Sequence, residues 1–436
     1  MDKLDFKFLR GFYRKELFEN FIPFWLGRGI DEKEGGFFTC FSNDGKTLIH
    51  RHKFIWSQGR FLWLLSRLHA ENRDALSPMD QQKCARGARR GYAFLRDHAL
   101  LENGHCSFIV SETGEPVLLN PDGTARKAGA GEYYDSSLYA DFFALYGVSE
   151  YARAFKEREA FEFALKLYRS IEARLVSRQF RTDPYPVPPG YKVHGEPMIA
   201  LETWQEFADT CAAFGDPLAA ELRRKCGEYV RVIMEDHLQP DNVILEFIGT
   251  DNRVYSHMLG TYINPGHTLE DCWFLIHWAQ RINDAALIKR VVTVAQRAME
   301  VGWDAEFGGL PQFIHRTGGA PKGEVPPELA DSEMVRKLKS NWDNKLWWPH
   351  SEALYTLLLC FERSGDPVLL DAYWKAHEYT FRIFPNPDKS IGEWIQIRDR
   401  KGNPEEKVVA LPVKDPFHIT RNFLHALKVL DRLIGR

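Results

Sequence analysis

Read for apolar and polar positions, the chain falls into helical segments of two kinds that alternate along its whole length. The first kind is apolar almost all round: "WSQGRFLWLLSRLH" from 56, "DSSLYADFFALYGV" from 135, "EPMIALETWQEFA" from 196, "HTLEDCWFLIHWAQ" from 267, "PHSEALYTLLLCFE" from 349 and "HITRNFLHALKVLDRL" from 418. Helices with that pattern are buried on most faces. Between them lie six amphipathic segments near 4–26, 80–99, 152–176, 217–237, 284–301 and 367–384, each with a Lys, Arg and Glu face suited to solvent. Six buried helices, each needing cover from a half-exposed neighbour, predict two concentric rings: an all-α (α/α)6 barrel, or toroid, formed by residues 1–436 as one domain. Irregular stacking of helices is the competing arrangement.

If outer helices run one way and inner helices the other, all six inner helices start at one mouth. Gly-rich, strand-like pieces with turn signals precede those starts, among them "EGGFFTCFSNDGKTLI" from 34, "GHCSFIVSETGEPV" from 104, "FGGLPQFIHRTGG" from 307 and "IGEWIQIRDRKGNP" from 391. They predict short β-hairpins around that mouth, which is therefore the face expected to carry function.

Composition narrows the function. Of 436 residues, 13% are aromatic, which suits a pocket lined with ring faces. The 57 basic and 60 acidic residues leave a formal charge of −3, so no global field favours nucleic acid or an anionic membrane surface as a partner. No apolar run approaches the ~18 residues of a membrane span. Seven scattered cysteines, with neither a C-x-x-C pair nor a secretory leader ahead of them, lead us to expect reduced thiols and a cytoplasmic protein.

The first turns of the inner helices hold a concentrated polar set: Gln58 and Arg60; Asp135; Glu196 and Glu202; His267, Glu270 and Trp273; Trp348 and Glu352; His418 and Arg421. Ordinary N-capping accounts for Thr268 and Ser351. It does not account for His267, Glu270 and Trp273, whose spacing of three puts them along one helix face, nor for Trp348 and Glu352 at i,i+4. No H-E-x-x-H or cysteine cluster points to a metal, and no Walker, dinucleotide or nucleophile-elbow motif is present. Two chemistries remain open on this reading. Carboxylates could serve a glycosidase, or two histidines could move protons at a carbon next to a carbonyl.

These residues also sit in motifs that are similar to those of a known family. "GGFFTC" at 35, "WSQGR" at 56, "NPGHTLEDCWFL" at 264, "GWDAEFGGL" at 302, "KLWWPHSEAL" at 345, "SGDPVLL" at 364, "EYTFR" at 378 and "GEW" at 392 occur in family order. With them the chain resembles the N-acylglucosamine 2-epimerases, which include renin-binding protein and are related to cellobiose 2-epimerases. The resemblance implies an (α/α)6 barrel and epimerisation at C2 of an open-chain reducing sugar, with no cofactor and no metal. It places the catalytic pair on His267 and His418, and Arg60 near the sugar carbonyl oxygen. Glu270, Trp273, Trp348, Glu352 and Arg421 are expected to bind substrate. An aldose–ketose isomerase of the same family, an (α/α)6 glycosidase and a non-catalytic sugar-binding protein are the alternatives.

The chain departs from the pattern in two segments expected to touch the sugar. Around the last histidine it reads "ALPVKDPFH", keeping Pro412, Lys414, Phe417, His418 and Arg421 but not the family's glycines, and after "GE" at 392 it reads "WIQI". The reaction type is expected to survive these changes, while N-acetyl specificity is open. Nucleotide modulates some of these epimerases, but no phosphate-loop signature bears on it here. The expected partner is a small-molecule sugar, with a homodimer as the one protein assembly considered.

Overall fold

A computed structural model describes residues 5–120, 122–409 and 414–435. Pro412 therefore lies outside the described residues. Twelve long helices alternate as the periodicity predicts. The inner ones are α2 (Ile55–Glu71), α4 (Leu138–Phe155), α6 (Gly195–Ala213), α8 (Pro265–Arg281), α10 (Trp347–Ser364) and α12 (Phe417–Ile434). The outer ones are α1 (6–28), α3 (Pro78–His98), α5 (Arg158–Ser177), α7 (218–237), α9 (Ala285–Gly302) and α11 (Pro367–Ile383). Each inner helix packs on the next, and the ring closes where α12 meets α2. The outer helices α3, α5, α7, α9 and α11 each cover the inner helix before them, and α1 covers α12. The result is the expected (α/α)6 barrel.

The sequence explains which ring each helix joins. Helix α4 buries every residue from Leu138 to Ala152, so it can only lie inside. Helix α3 buries Cys84, Gly87, Ala88, Gly91, Tyr92, Phe94 and Leu95, one stripe at spacings of three and four, and leaves its charges to solvent. Helices α2 and α4 approach so closely that a Cβ on Gly59 would lie 1.9 Å from the Phe143 carbonyl oxygen, and one on Gly147 would lie 2.1 Å from that of Gly59. Two glycines thus set the spacing of this helix pair and the position of Arg60 beside them.

The inner helices do start at one mouth, and strands decorate it, but their pairing differs from a set of local hairpins. Among the described residues only β3 (Leu118–Leu119) and β4 (Ala125–Arg126) pair as neighbouring strands of one hairpin. The others join consecutive links between helices: β1 (Lys53–Phe54) with β2 (Ile109–Val110), β5 (Tyr191–Val193) with β6 (Phe247–Gly249), β7 (Tyr262–Ile263) with β8 (Ile314–His315), and β9 (Lys345–Leu346) with β10 (Ile397–Arg398). Single bridges such as Phe41–Leu48, Val110–Pro116 and Arg398–Pro404 close the local turns. Turn residues reveal where the chain reverses, whereas the partner of a two-residue strand is set by helix packing.

Two of these links share a device. Lys53 Nζ donates to Asp31 Oδ2 (2.8 Å) and the Gly35 carbonyl (2.6 Å), and Lys345 Nζ donates to Asp304 Oδ2 (3.1 Å) and the Gly308 carbonyl. Both lysines are fully buried in strands that lead into inner helices. Such charges are tolerated only with partners of this kind.

Candidate active site

The cavity at the strand-decorated mouth is lined from all six inner-helix starts and the links before them. Its polar wall holds Arg60, Glu246, Asn264, His267, Glu270, Asp415 and His418, with the rings of Trp56, Tyr139, Tyr262 and Trp348 around them.

Helix α8 begins with Pro265 at N1, and Asn264 caps it by accepting from the backbone N–H of Gly266 (3.0 Å) and His267 (3.3 Å). That early start overturns the expected capping role of Thr268, which lies too far along the helix; its hydroxyl has no hydrogen-bond partner among the described residues. Ser351 does not cap α10 either: its hydroxyl donates to the Trp348 carbonyl (3.0 Å). The cap at Asn264 fixes the first turn of α8 and points His267 at the cavity. His267 Nδ1 lies 3.1 and 3.2 Å from the two carboxylate oxygens of Glu246. A carboxylate only accepts, so Nδ1 carries the proton and Nε2 is left for the cavity.

His418 starts α12 across the mouth. Its Nδ1 donates to Glu352 Oε1 at 2.6 Å, and its Nε2 lies 3.6 Å from Asp415 Oδ2. Burial lowers its pKa, to about 3, against the pull of Glu270, and Arg60 adds to the lowering. The imidazole is therefore neutral at pH 7, with a free Nε2 lone pair. Both imidazoles flank one ring: the Trp348 centroid is 5.4 Å from that of His267 and 5.5 Å from that of His418. The two histidines are thus no more than about 11 Å apart, on one cavity.

Arg60 is held among aromatic faces, its guanidinium carbon 4.0 Å from the Phe143 ring centroid and 5.0 Å from that of Trp56. Asp415 pairs with it at 3.5 Å, and the buried Asp415 Oδ2 has no hydrogen-bond partner among the described residues. Cation and free acceptor stand side by side at the wall.

Contact with the cavity sorts the remaining expectations. Glu270, the sixth residue of α8, and Trp348, the second of α10, line the cavity with Arg60. Trp273, Glu352 and Arg421 are buried behind the wall that these residues form. There Glu352 accepts from His418, from Arg421 Nη2 (2.7 Å) and, through Oε2, from Trp273 Nε1 (2.8 Å). Arg421 also donates to Glu270 Oε1 at 2.6 Å. Through these bonds the three residues support His418 and Glu270.

Other first-turn residues serve elsewhere. Gln58 spans the backbone of Phe37, Asp135 pairs with His105, Glu196 with Arg178, and Glu202 accepts from the Tyr146 hydroxyl. Of the two divergent segments, Lys414 turns away from the cavity to the Asn43 and Trp394 carbonyls (both 2.7 Å), and Trp394 is buried, while Ile397 and Asp415 do line the wall. The sequence reading missed Glu246 and Asp415. A buried Glu interrupting the apolar run "VILEFIG" from 243 is the signal that could have revealed the first.

Two trios, His194–Glu246–His267 and Glu270–Glu352–His418, have ligand-type atoms within 4.8 Å of one another. In the second, the Arg421 guanidinium already pairs with both carboxylates, which opposes a dication.

Comparison with known proteins gives a consistent picture. Residues 36–421 match the family model described as N-acylglucosamine 2-epimerase (GlcNAc 2-epimerase). The N-acylglucosamine 2-epimerase of Mus musculus is 28% identical over 426 residues, covering 95% of this chain and 90% of that protein. The cellobiose 2-epimerase of Dictyoglomus turgidum is 23% identical over 438 residues, covering 98% and 100%. Among solved structures, the cellobiose 2-epimerase from Spirochaeta thermophila superimposes with a TM-score of 0.73 at 20% identity over 98% of both chains. A D-mannose isomerase does so with 0.70 at 17% over 98% and 99%. At those identities the superpositions show a shared fold.

Proposed function

The chain belongs to the N-acylglucosamine 2-epimerase family, and from that premise we propose that it is a sugar 2-epimerase working on the open-chain form of a reducing sugar. The observation that carries the reading is the placement of two imidazoles, from α8 and α12, on one cavity with Arg60 in its wall. Each presents Nε2 and has its Nδ1–H taken by a carboxylate.

In an open-chain aldose the C2 hydrogen is acidified by the C1 aldehyde. One imidazole removes it, the electron pair moves onto the carbonyl oxygen, and the enediolate is stabilised by Arg60 and by the helix N-termini converging on the mouth. The other imidazole, which enters the step as the imidazolium, returns its Nε2 proton to the opposite face of C2, which inverts it and leaves the two rings with their protonation states exchanged. The reverse direction exchanges the two roles. No electron leaves the substrate, so the reaction calls for no redox cofactor. Glu270 and Asp415, both on the wall, are placed to bond sugar hydroxyls during ring opening.

Family membership and the relatives named N-acylglucosamine 2-epimerase favour an N-acylated hexosamine as substrate. So does the apolar part of the wall, where Val193, Phe247, Phe313 and Met334 offer a surface for an acyl methyl group. All seven cysteines are free and buried, which suits a reducing compartment such as the cytoplasm.

His267→Ala and His418→Ala are each expected to abolish incorporation of solvent deuterium at C2, followed by NMR with N-acetylmannosamine, N-acetylglucosamine, mannose, glucose and cellobiose. Exchange at the wild-type rate in either variant refutes the two-histidine reading. A ketose product labelled at C1 would instead identify an aldose–ketose isomerase.

A further inference from the structure

Behind His267 lies a second histidine that the two-base reaction does not use. His194 directly precedes α6, is fully buried, and stands between two buried acids. Its Nε2 is 2.9 Å from Asp271 Oδ2 and its Nδ1 is 3.6 Å from Glu246 Oε1. Both imidazole nitrogens face carboxylates, which only accept, so the ring suits both as the doubly protonated cation. The backbone repeats the connection, because the His194 N–H donates to the Glu246 carbonyl at 2.8 Å where β5 and β6 end. The other titratable ring against it is His237, 5.7 Å away. That ring is kept neutral by burial and by the His194 charge, and its Nδ1 is engaged with the Leu245 carbonyl (2.8 Å).

We propose that His194 is a positioning residue for the proton transfer at His267: anchored by Asp271, its imidazolium holds Glu246 ionised and oriented so that Glu246 fixes the Nδ1–H form of His267. The proposal rests on the epimerase reading above. Among the described residues Glu246 has no arginine or lysine partner, and its ion pairs are with His194 and His267. Burial alone would push its carboxyl up; the His267 and His194 imidazoles beside it outweigh that and hold it well below the usual range. For His194 burial lowers the pKa, but the hydrogen bond to Asp271 and the adjacent Glu246 carboxylate raise it to about 10. A permanent cation thus sits one carboxylate away from the reacting imidazole. Asp271 follows Glu270 on α8 and points out of the cavity, so consecutive residues of one helix serve the substrate wall and its support.

The test is His194→Gln, assayed by C2 deuterium exchange across pH 5.5–9 beside the wild type, with the melting temperature recorded. The ring does not touch the cavity, so kcat is expected to fall about 10- to 100-fold, as for other supporting groups, with KM changed less than about threefold. Loss of the nearby cation is also expected to move the acidic limb of the pH profile to higher pH, a change that lost stability alone would not produce. If wild type exchanges and the variant matches it in kcat and pH profile, the proposal is overturned. If wild type itself shows no exchange on any sugar, the epimerase reading has failed instead. Should His194→Gln not fold, nitrogen-15 NMR of histidine-labelled wild type decides: one imidazolium with both nitrogens protonated is expected up to pH 8.5, and a neutral ring at pH 8 refutes the proposal.

Discussion

Replacing Glu352 by Gln tests whether the layer behind the cavity holds the site in place. Glu352 accepts from His418 Nδ1 and Arg421 Nη2 through Oε1 and from Trp273 Nε1 through Oε2. A glutamine amide has one acceptor oxygen. If that oxygen faces His418 and Arg421, the amide N–H2 meets the indole N–H, donor against donor; if the amide flips, two donors are orphaned instead. In the better orientation one buried N–H loses its partner, at about 1–3 kcal/mol, the His418 bond becomes a neutral one worth about half as much, and the Arg421 bond keeps only the charge of its donor. Breaking a buried ion pair outright costs about 3–5 kcal/mol, but Arg421 keeps Glu270 at 2.6 Å. The expected destabilisation is therefore about 2–4 kcal/mol, read by urea unfolding. Catalysis should suffer separately, with kcat for C2 exchange down about 10- to 100-fold because a neutral amide oxygen replaces the ionised carboxylate that sets the His418 ring. Trp273→Phe removes the opposing donor, so the double variant should be more stable than the two single effects predict, by about 1 kcal/mol. A Glu352→Gln protein within about 0.5 kcal/mol of wild type, or strict additivity in that cycle, would refute the reasoning.

Stability should depend on pH in a defined direction. Burial takes His237, His350 and His418 down to about 3, so between about pH 6.5 and 3 the unfolded chain binds protons that the fold rejects. Each such ring then costs up to about 1.4 kcal/mol per pH unit as pH falls through that window, and the urea midpoint should drop steeply from pH 7 to 5. An unchanged midpoint contradicts this. His194 acts with the opposite sign: its contribution is complete below about pH 6.5 and is lost as pH rises through about 10. Finally, Gly59→Ala puts a methyl 1.9 Å from the Phe143 carbonyl oxygen, with backbone rather than a movable side chain in the way. It should therefore cost more than about 3 kcal/mol or prevent folding, as judged by soluble yield and circular dichroism.

Much of the barrel can be read from the chain because ring membership is a local property. An inner helix such as α4 is apolar on every face and an outer one such as α3 on a single stripe, and each pattern dictates burial wherever the segment ends up. The polar first turns likewise mark the functional mouth, since inner helices that share a direction bring their starts together. His267, His418, Arg60, Glu270 and Trp348 are legible for that reason.

What lies one layer deeper is not legible. That Trp273, Glu352 and Arg421 join one hydrogen-bond network behind His418 depends on how three helices from distant parts of the chain converge, which spacing within one helix does not reveal. Glu246, Asp415 and His194 lie in links between helices, where no periodicity signals a role. Only the antiparallel pairing of β5 with β6 and the start of α8 bring Glu246, His194 and Asp271 together. A buried charge is decided by its partners, and those partners are chosen by tertiary packing.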